Sequence, residues 1–107
     1  MNPTIRSDGD VVTLINVFTA EPGRQHELVD LLREGTERWI ADIPEHLSTS
    51  LHAGKDGRRV VVYSQWKSAA GIDAMRRKPE MAAYLQRVAA IATFEAIACD
   101  EVYVHHH

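Results

Sequence analysis

Residues 47–67 read LSTSLHAGKDGRRVVVYSQWK. Leu47, Thr49, Leu51 and Ala53 alternate with Ser48, Ser50 and His52, the two-residue period of a strand that ends at Gly54. Lys55-Asp56-Gly57 follows, and Asp-Gly between two strand patterns marks a hairpin turn. Arg58 to Lys67 is then the returning strand, with Val60, Val61, Val62 and Tyr63 at its centre. The hairpin lies in the middle of the chain, with helical and strand patterns on either side of it.

Upstream, Val11 to Ala20 is a further strand, rich in Val, Ile, Thr and Phe and bounded by Asp8-Gly9-Asp10 and Pro22-Gly23. Val12, Leu14, Asn16 and Phe18 share one face; Thr13, Ile15, Val17 and Thr19 share the other. Arg24 to Ile43 reads as a helix whose apolar stripe runs through Leu28, Leu32, Gly35, Trp39 and Ile43. Arg33 with Glu37 and Glu34 with Arg38 have the spacing of ion pairs on its wet side. Gly35 interrupts the stripe at a cost of about 1 kcal/mol against Ala, which predicts a close approach of this helix to a sheet. Pro44 ends the helix.

Downstream, Ser68 is a candidate N-cap for a short helix through Met75. Pro79 opens another helix with Met81, Tyr84, Leu85 and Val88 as its stripe, and Thr93 to Val104 is the last strand. The run Arg76-Arg77-Lys78 suits a helix C-terminus, where cations offset the dipole.

The order β-α-β-β-α-β is the ferredoxin-like split arrangement, an α+β fold. It predicts an antiparallel sheet with helices on one face only. The other face carries Ile15, Val17, Val61 and Tyr63, and a face that apolar should be covered. No element remains to cover it, so the expected assembly is a homodimer, two sheets packed into an α+β barrel. The single domain spans residues 11–104. Residues 1–10 read as a flexible tail, and residues 105–107 as a His tail whose last two residues are set aside from site reasoning.

The chain has 107 residues and a net charge of -3, which gives no electrostatic case for nucleic acid or an anionic membrane. No segment has the length and apolarity of a signal peptide core or a membrane span. Cys99 is the one cysteine, so no internal disulfide exists, which suits the reducing cytoplasm. Glycine-rich phosphate loops, CxxC, HExxH and GxSxG are all missing, so neither a metal nor a nucleotide or flavin cofactor is expected. Chemistry must then use a pocket between the sheet and the helices.

Asn16 is the most informative candidate. Asparagine is a poor strand former, yet it stands mid-strand on the face of Leu14 and Phe18. It is either a donor aimed into a pocket or an amide bonded to a neighbouring helix. Trp66 faces the same way as Val60, Val62 and Ser64; it is a flat pocket wall with an N–H to offer, or plain core. His52 is the only strand-borne histidine, a general base or a solvated ring beside Ser48 and Ser50. His26 and His46 read as surface residues, and Arg87 as a surface group. Leu14, Phe18, Val62, Met81 and Tyr84 are the expected substrate-binding walls, Tyr84 with a hydroxyl that reaches the pocket.

Together these stretches resemble a known family. They are Val12-Thr13-Leu14-Ile15-Asn16, Gln25-His26-Glu27-Leu28-Val29, Trp39-Ile40, Pro44, Leu47-Ser48, His52-Ala53, Asp56-Gly57 and Tyr63-Ser64-Gln65-Trp66. In order and spacing they resemble the antibiotic biosynthesis monooxygenases, in particular the anthrone oxygenases of aromatic polyketide pathways. The resemblance runs from Val11 to Val104 and implies a ferredoxin-like dimer. It also implies cofactor-free oxidation of an anthrone-like polyketide by dioxygen to a quinone. Asn16, His52 and Trp66 match positions implicated in such members.

One departure matters. The family commonly reads Val-Asn-Tyr-x-x-Trp on the third strand, and here Val62 replaces the asparagine. Losing one preorganised donor typically costs about 3–4 kcal/mol in barrier. Either Asn16 suffices with another substrate pose, or the pocket binds an aromatic intermediate without oxygenating it. A non-oxidative isomerase or cyclase using the same enolate chemistry is a further alternative. A haem-degrading relative would need a histidine in residues 69–92, and none occurs there.

Overall fold

A computed structural model describes residues 11–106 of the chain. The expected tail at residues 1–10 lies outside the described residues, as does His107. The elements in order are β1 (Val12–Ala20), α1 (Gln25–Gly35), a π-helical turn (Thr36–Ile40), β2 (His46–Ala53), β3 (Arg59–Trp66), α2 (Ala69–Arg76), α3 (Pro79–Ala89) and β4 (Ala92–Asp100). The strands form a four-stranded sheet in the order β2-β3-β1-β4, antiparallel at every pairing. This is the α+β ferredoxin-like fold that the element order predicts.

The hairpin is built as its sequence dictates. Gly57 takes φ +75°, a conformation that L side chains rarely adopt. Asp56 Oδ1 accepts from the backbone N–H of Arg58 at 2.9 Å and of Arg59 at 3.0 Å, and Oδ2 accepts from Arg59 Nε at 2.6 Å. Those bonds to the ionised carboxylate, the Arg59 peptide first, hold the Asp56 carboxyl well below the usual carboxylate range.

Leu14, Phe18, Val60 and Trp66 are buried on the helix side of the sheet. One core cluster joins Phe18 and Val60 to Leu28, Leu32, Met81, Tyr84 and Val88; a second joins Leu14 and Trp66 to Ile43 and Ile72. Ile40 and Met75 pack against both. On the opposite face Ile15, Val17, Val61 and Tyr63 are half-buried, and Ile97 of the edge strand β4 is 56% exposed.

Several expectations need correction. The first helix does not run to Ile43. It widens into the π-helical turn, in which the Ala41 N–H donates to the Thr36 carbonyl at 2.8 Å, and Ile43 is buried in the following turn. The Thr36 hydroxyl donates to the Leu32 carbonyl at 2.8 Å, the side-chain bond that competes with a regular helical ladder. Gly35 does make a close approach, but to the Tyr84 ring on α3 and not to the sheet; a Cβ there would overlap that ring. Ser68 stands at the N-cap of α2 without a side-chain capping bond. The last strand stops at Asp100, short of Val104. Arg76 ends α2 as its position suggests, whereas Lys78 reaches another helix end: its Nζ donates to the Trp39 carbonyl at 2.7 Å and to Asp42 Oδ1 at 3.1 Å.

Candidate active site

The cavity lies where the two core clusters meet, between the sheet and the helices. Its sheet wall is Leu14, Asn16 and Phe18 of β1, Thr49 of β2, Val62, Ser64 and Trp66 of β3, and Phe94 and Ala96 of β4. Its helix wall includes Leu32, Thr36 and Ile40, then Met75 and Arg76 of α2, then Met81, Tyr84 and Leu85 of α3. The structure thus gathers Asn16, Trp66, Leu14, Phe18, Val62, Met81 and Tyr84 around one apolar space.

His52 is not among them. It is exposed on the opposite sheet face, its Nε2 3.0 Å from Ser50 Oγ and its register partner Val61. The two-residue period explains the correction. Thr49 and Leu51 belong to the helix side, so His52 must turn away from the cavity.

Asn16 is half-buried, and among the described residues its amide makes no side-chain hydrogen bond. It is therefore not an amide satisfied by a neighbouring helix. It stands directly across the ladder from Val62, so the substituted family position faces it on the same wall.

Trp66 is fully buried, and its Nε1 donates to Ser64 Oγ at 3.0 Å. Ser64 Oγ in turn donates to the Leu14 carbonyl at 3.3 Å. The indole is a wall of the cavity whose N–H already has a protein acceptor, which corrects the expectation of a free donor. Tyr84 is buried, with ring centroid 5.3 Å from that of Trp39, and its hydroxyl has no hydrogen-bond partner among the described residues. Burial, reinforced by the Glu34 charge and opposed by Arg87, pushes the Tyr84 phenol up to about 12. It stays a neutral donor at any working pH. Arg87 sits outside the cavity and pairs with Glu34 at 3.5 Å.

Arg76 and Thr49 are polar lining groups that the sequence does not single out as site residues. Arg76 sits exposed at the cavity, without an ion pair among the described residues. Thr49 lines the space and is 2.6 Å from Nε2 of His46. His46 is not a surface residue: it is half-buried, edge-on to Trp66 with ring centroids 5.1 Å apart. Desolvation lowers its pKa, opposed by a backbone hydrogen bond at Ser48. The sequence shows a histidine next to Pro44-Glu45, and nothing local indicates that a β-bulge turns it towards Trp66.

Among the described residues no group of three or more His, Cys, Asp or Glu side chains is placed to hold a metal ion, and no helix is long and apolar enough to cross a membrane.

Known proteins share this architecture. The chain is 35% identical over 97 residues to the tetracenomycin-F1 monooxygenase of Streptomyces glaucescens, covering 91% of this chain and 87% of that one. Its structure superposes on SnoaB, a cofactor-independent oxygenase from Streptomyces nogalater, with a TM-score of 0.80 at 20% identity, over 89% of this chain and 96% of that one. The ActVA-Orf6 monooxygenase of Streptomyces coelicolor, solved with nanaomycin D, matches with a TM-score of 0.76 at 25% identity, over 90% and 91% of the two chains. The model of the antibiotic biosynthesis monooxygenase family matches residues 11–87. By sequence and by fold, this chain belongs to the antibiotic biosynthesis monooxygenase family.

Proposed function

We propose that the chain is a cofactor-independent monooxygenase that oxidises an anthrone-like polycyclic aromatic polyketide to a quinone with dioxygen. The carrying observation is the unpartnered Asn16 amide in an apolar cavity, with the Tyr84 hydroxyl on the same lining. Trp66, Met75 and Met81 supply apolar wall for a flat ring system. Proton loss from the ring system gives a carbanion whose charge spreads onto its carbonyl oxygen. Asn16 and Tyr84 donate hydrogen bonds to that oxygen from an apolar wall, where preorganised donors act more strongly than in water. The carbanion passes one electron to dioxygen, and the two radicals combine to a peroxide. Protonation and loss of one water leave the quinone, so one oxygen atom enters the product. The tetracenomycin-F1 activity of the 35% identical relative supports this substrate class.

The working unit is a homodimer closed through the open sheet face. The apolar strip of Ile15, Val17, Val61 and Ile97 supports it, since a face of this kind is normally covered.

A second reading has its own observation. Val62 faces Asn16 where the family places another amide, which leaves the wall more apolar and suits a protein that binds the ring system without oxidising it. Oxygen uptake and quinone absorbance with an anthrone and metal-stripped protein separate the two. Turnover well above the uncatalysed rate supports the oxygenase. Thermal stabilisation by the anthrone without added oxygen uptake supports the binding protein.

A further inference from the structure

The reaction begins with a proton leaving the substrate, and no lining residue is an obvious acceptor. Among the described residues the cavity wall holds no Asp, Glu, His, Lys or Cys. Arg76 is a permanent cation, and Tyr84 keeps its proton up to about pH 12. Two of the wall hydroxyls are engaged with carbonyls: Ser64 donates to that of Leu14 and Thr36 to that of Leu32. Thr49 differs, because its hydroxyl lies 2.6 Å from an imidazole nitrogen.

We propose that Thr49 and His46 form the proton exit of this cavity: the Thr49 hydroxyl touches the substrate, and His46 behind it takes the proton. The inference rests on the cavity being the substrate site. The substrate's acidic hydrogen passes to Thr49 Oγ1 while the Thr49 proton passes to His46 Nε2. The products are a substrate anion, an unchanged hydroxyl and an imidazolium. The same proton returns along the same path to the peroxide, so the relay is restored in each cycle. Thr49 is the catalytic residue in this scheme, and His46 is a positioning residue that acts through it.

The surroundings keep the imidazole available. Trp66 packs on it from β3, and the Glu45 carbonyl accepts from the Lys67 N–H at 2.7 Å just beyond. On α2, Gly71 is so close to the Glu45 side chain and the Trp66 ring that a Cβ would overlap the former. Glu45 precedes His46 and Lys67 follows Trp66 in the chain, and Arg76 of α2 lines the cavity. Burial lowers the His46 pKa, with the Ser48 backbone acting the other way. Burial favours the uncharged ring, which keeps a nitrogen lone pair facing Thr49.

The test uses emodin, a hydroxyanthraquinone that cannot undergo the oxygenation, so binding and ionisation are read without turnover. Binding is followed by thermal shift, and the phenolate band of the bound probe is titrated against pH. In the wild type the band should emerge about one pH unit or more below its position in His46→Gln and Thr49→Val, a tenfold change in ionisation constant. Thr49→Ser, which keeps the hydroxyl, should restore the wild-type position. Steady-state turnover of an anthrone should fall about a hundredfold in kcat in His46→Gln, with KM little changed and the acid limb of the pH profile gone. Imidazole added to His46→Gly should recover part of the rate and guards against a folding defect. A band unmoved in His46→Gln, or moved there but not in Thr49→Val, overturns the relay while leaving the cavity as the binding site. Failure of emodin to bind the wild type overturns both.

Discussion

Asn16 is a half-buried amide with no protein partner among the described residues, which makes it the side chain whose removal separates function from stability. Asn16→Leu should keep the fold and its melting temperature, since no hydrogen bond is lost. It should lower kcat/KM for an anthrone by about a hundredfold, the effect typical of one preorganised donor. Oxygen uptake beside a thermal melt checks both halves. Val62→Asn places a second amide across the ladder and should raise turnover. Tyr84 offers a pH test. Its phenol titrates near 10 in the unfolded chain and about 12 in the fold, so its stabilising contribution is complete below 10 and lost as pH rises through about 12. Tyr84→Phe should lack that alkaline decline in urea unfolding series. At this scale the sequence was only partly readable. Asn16 stood out because asparagine is out of place mid-strand, and Tyr84 because it lies on a helical stripe. His46 was missed because a bulge and an aromatic contact bury it. His52 keeps two readings in the sequence, general base or solvated ring, because a histidine with serine neighbours looks the same on either face until the sheet's sides are known.

Among the elements, the π-helical turn and the Gly35–Tyr84 contact set the helix side of the cavity. Gly35→Ala would drive a methyl into the Tyr84 ring. Overpacking of this kind typically costs about 1–3 kcal/mol. Urea unfolding should show that loss, and an aromatic ligand should bind more weakly because Tyr84 is displaced. The strands, the Asp56-Gly57 turn and the Pro79 helix start were legible because period, turn chemistry and proline geometry are local properties. The π-helical turn was not, since the stripe through Trp39 and Ile43 reads as continuous helix. What departs from it is a backbone pattern tied to the Thr36 hydroxyl. The end of β4 was overextended because Val102 and Val104 continue a β-rich composition after the ladder with β1 has stopped.

For the whole molecule, the sheet carries helices on one side and an apolar strip on the other. Sedimentation should give a dimer, and Ile97→Arg, placed mid-strip beside Ile15, should yield a monomer with its cavity residues unchanged. A wild-type monomer at micromolar concentration would contradict the closed assembly. Transfer of an oxygen atom is read by mass spectrometry of the product formed from an anthrone under isotopically labelled dioxygen. Metal-stripped protein is used, with Asn16→Leu and no-protein controls. The expected result is a quinone carrying one labelled oxygen, formed well above both controls. A product without label, or labelled quinone formed no faster than without protein, would contradict the oxygenase and leave a protein that only binds its aromatic ligand or rearranges it.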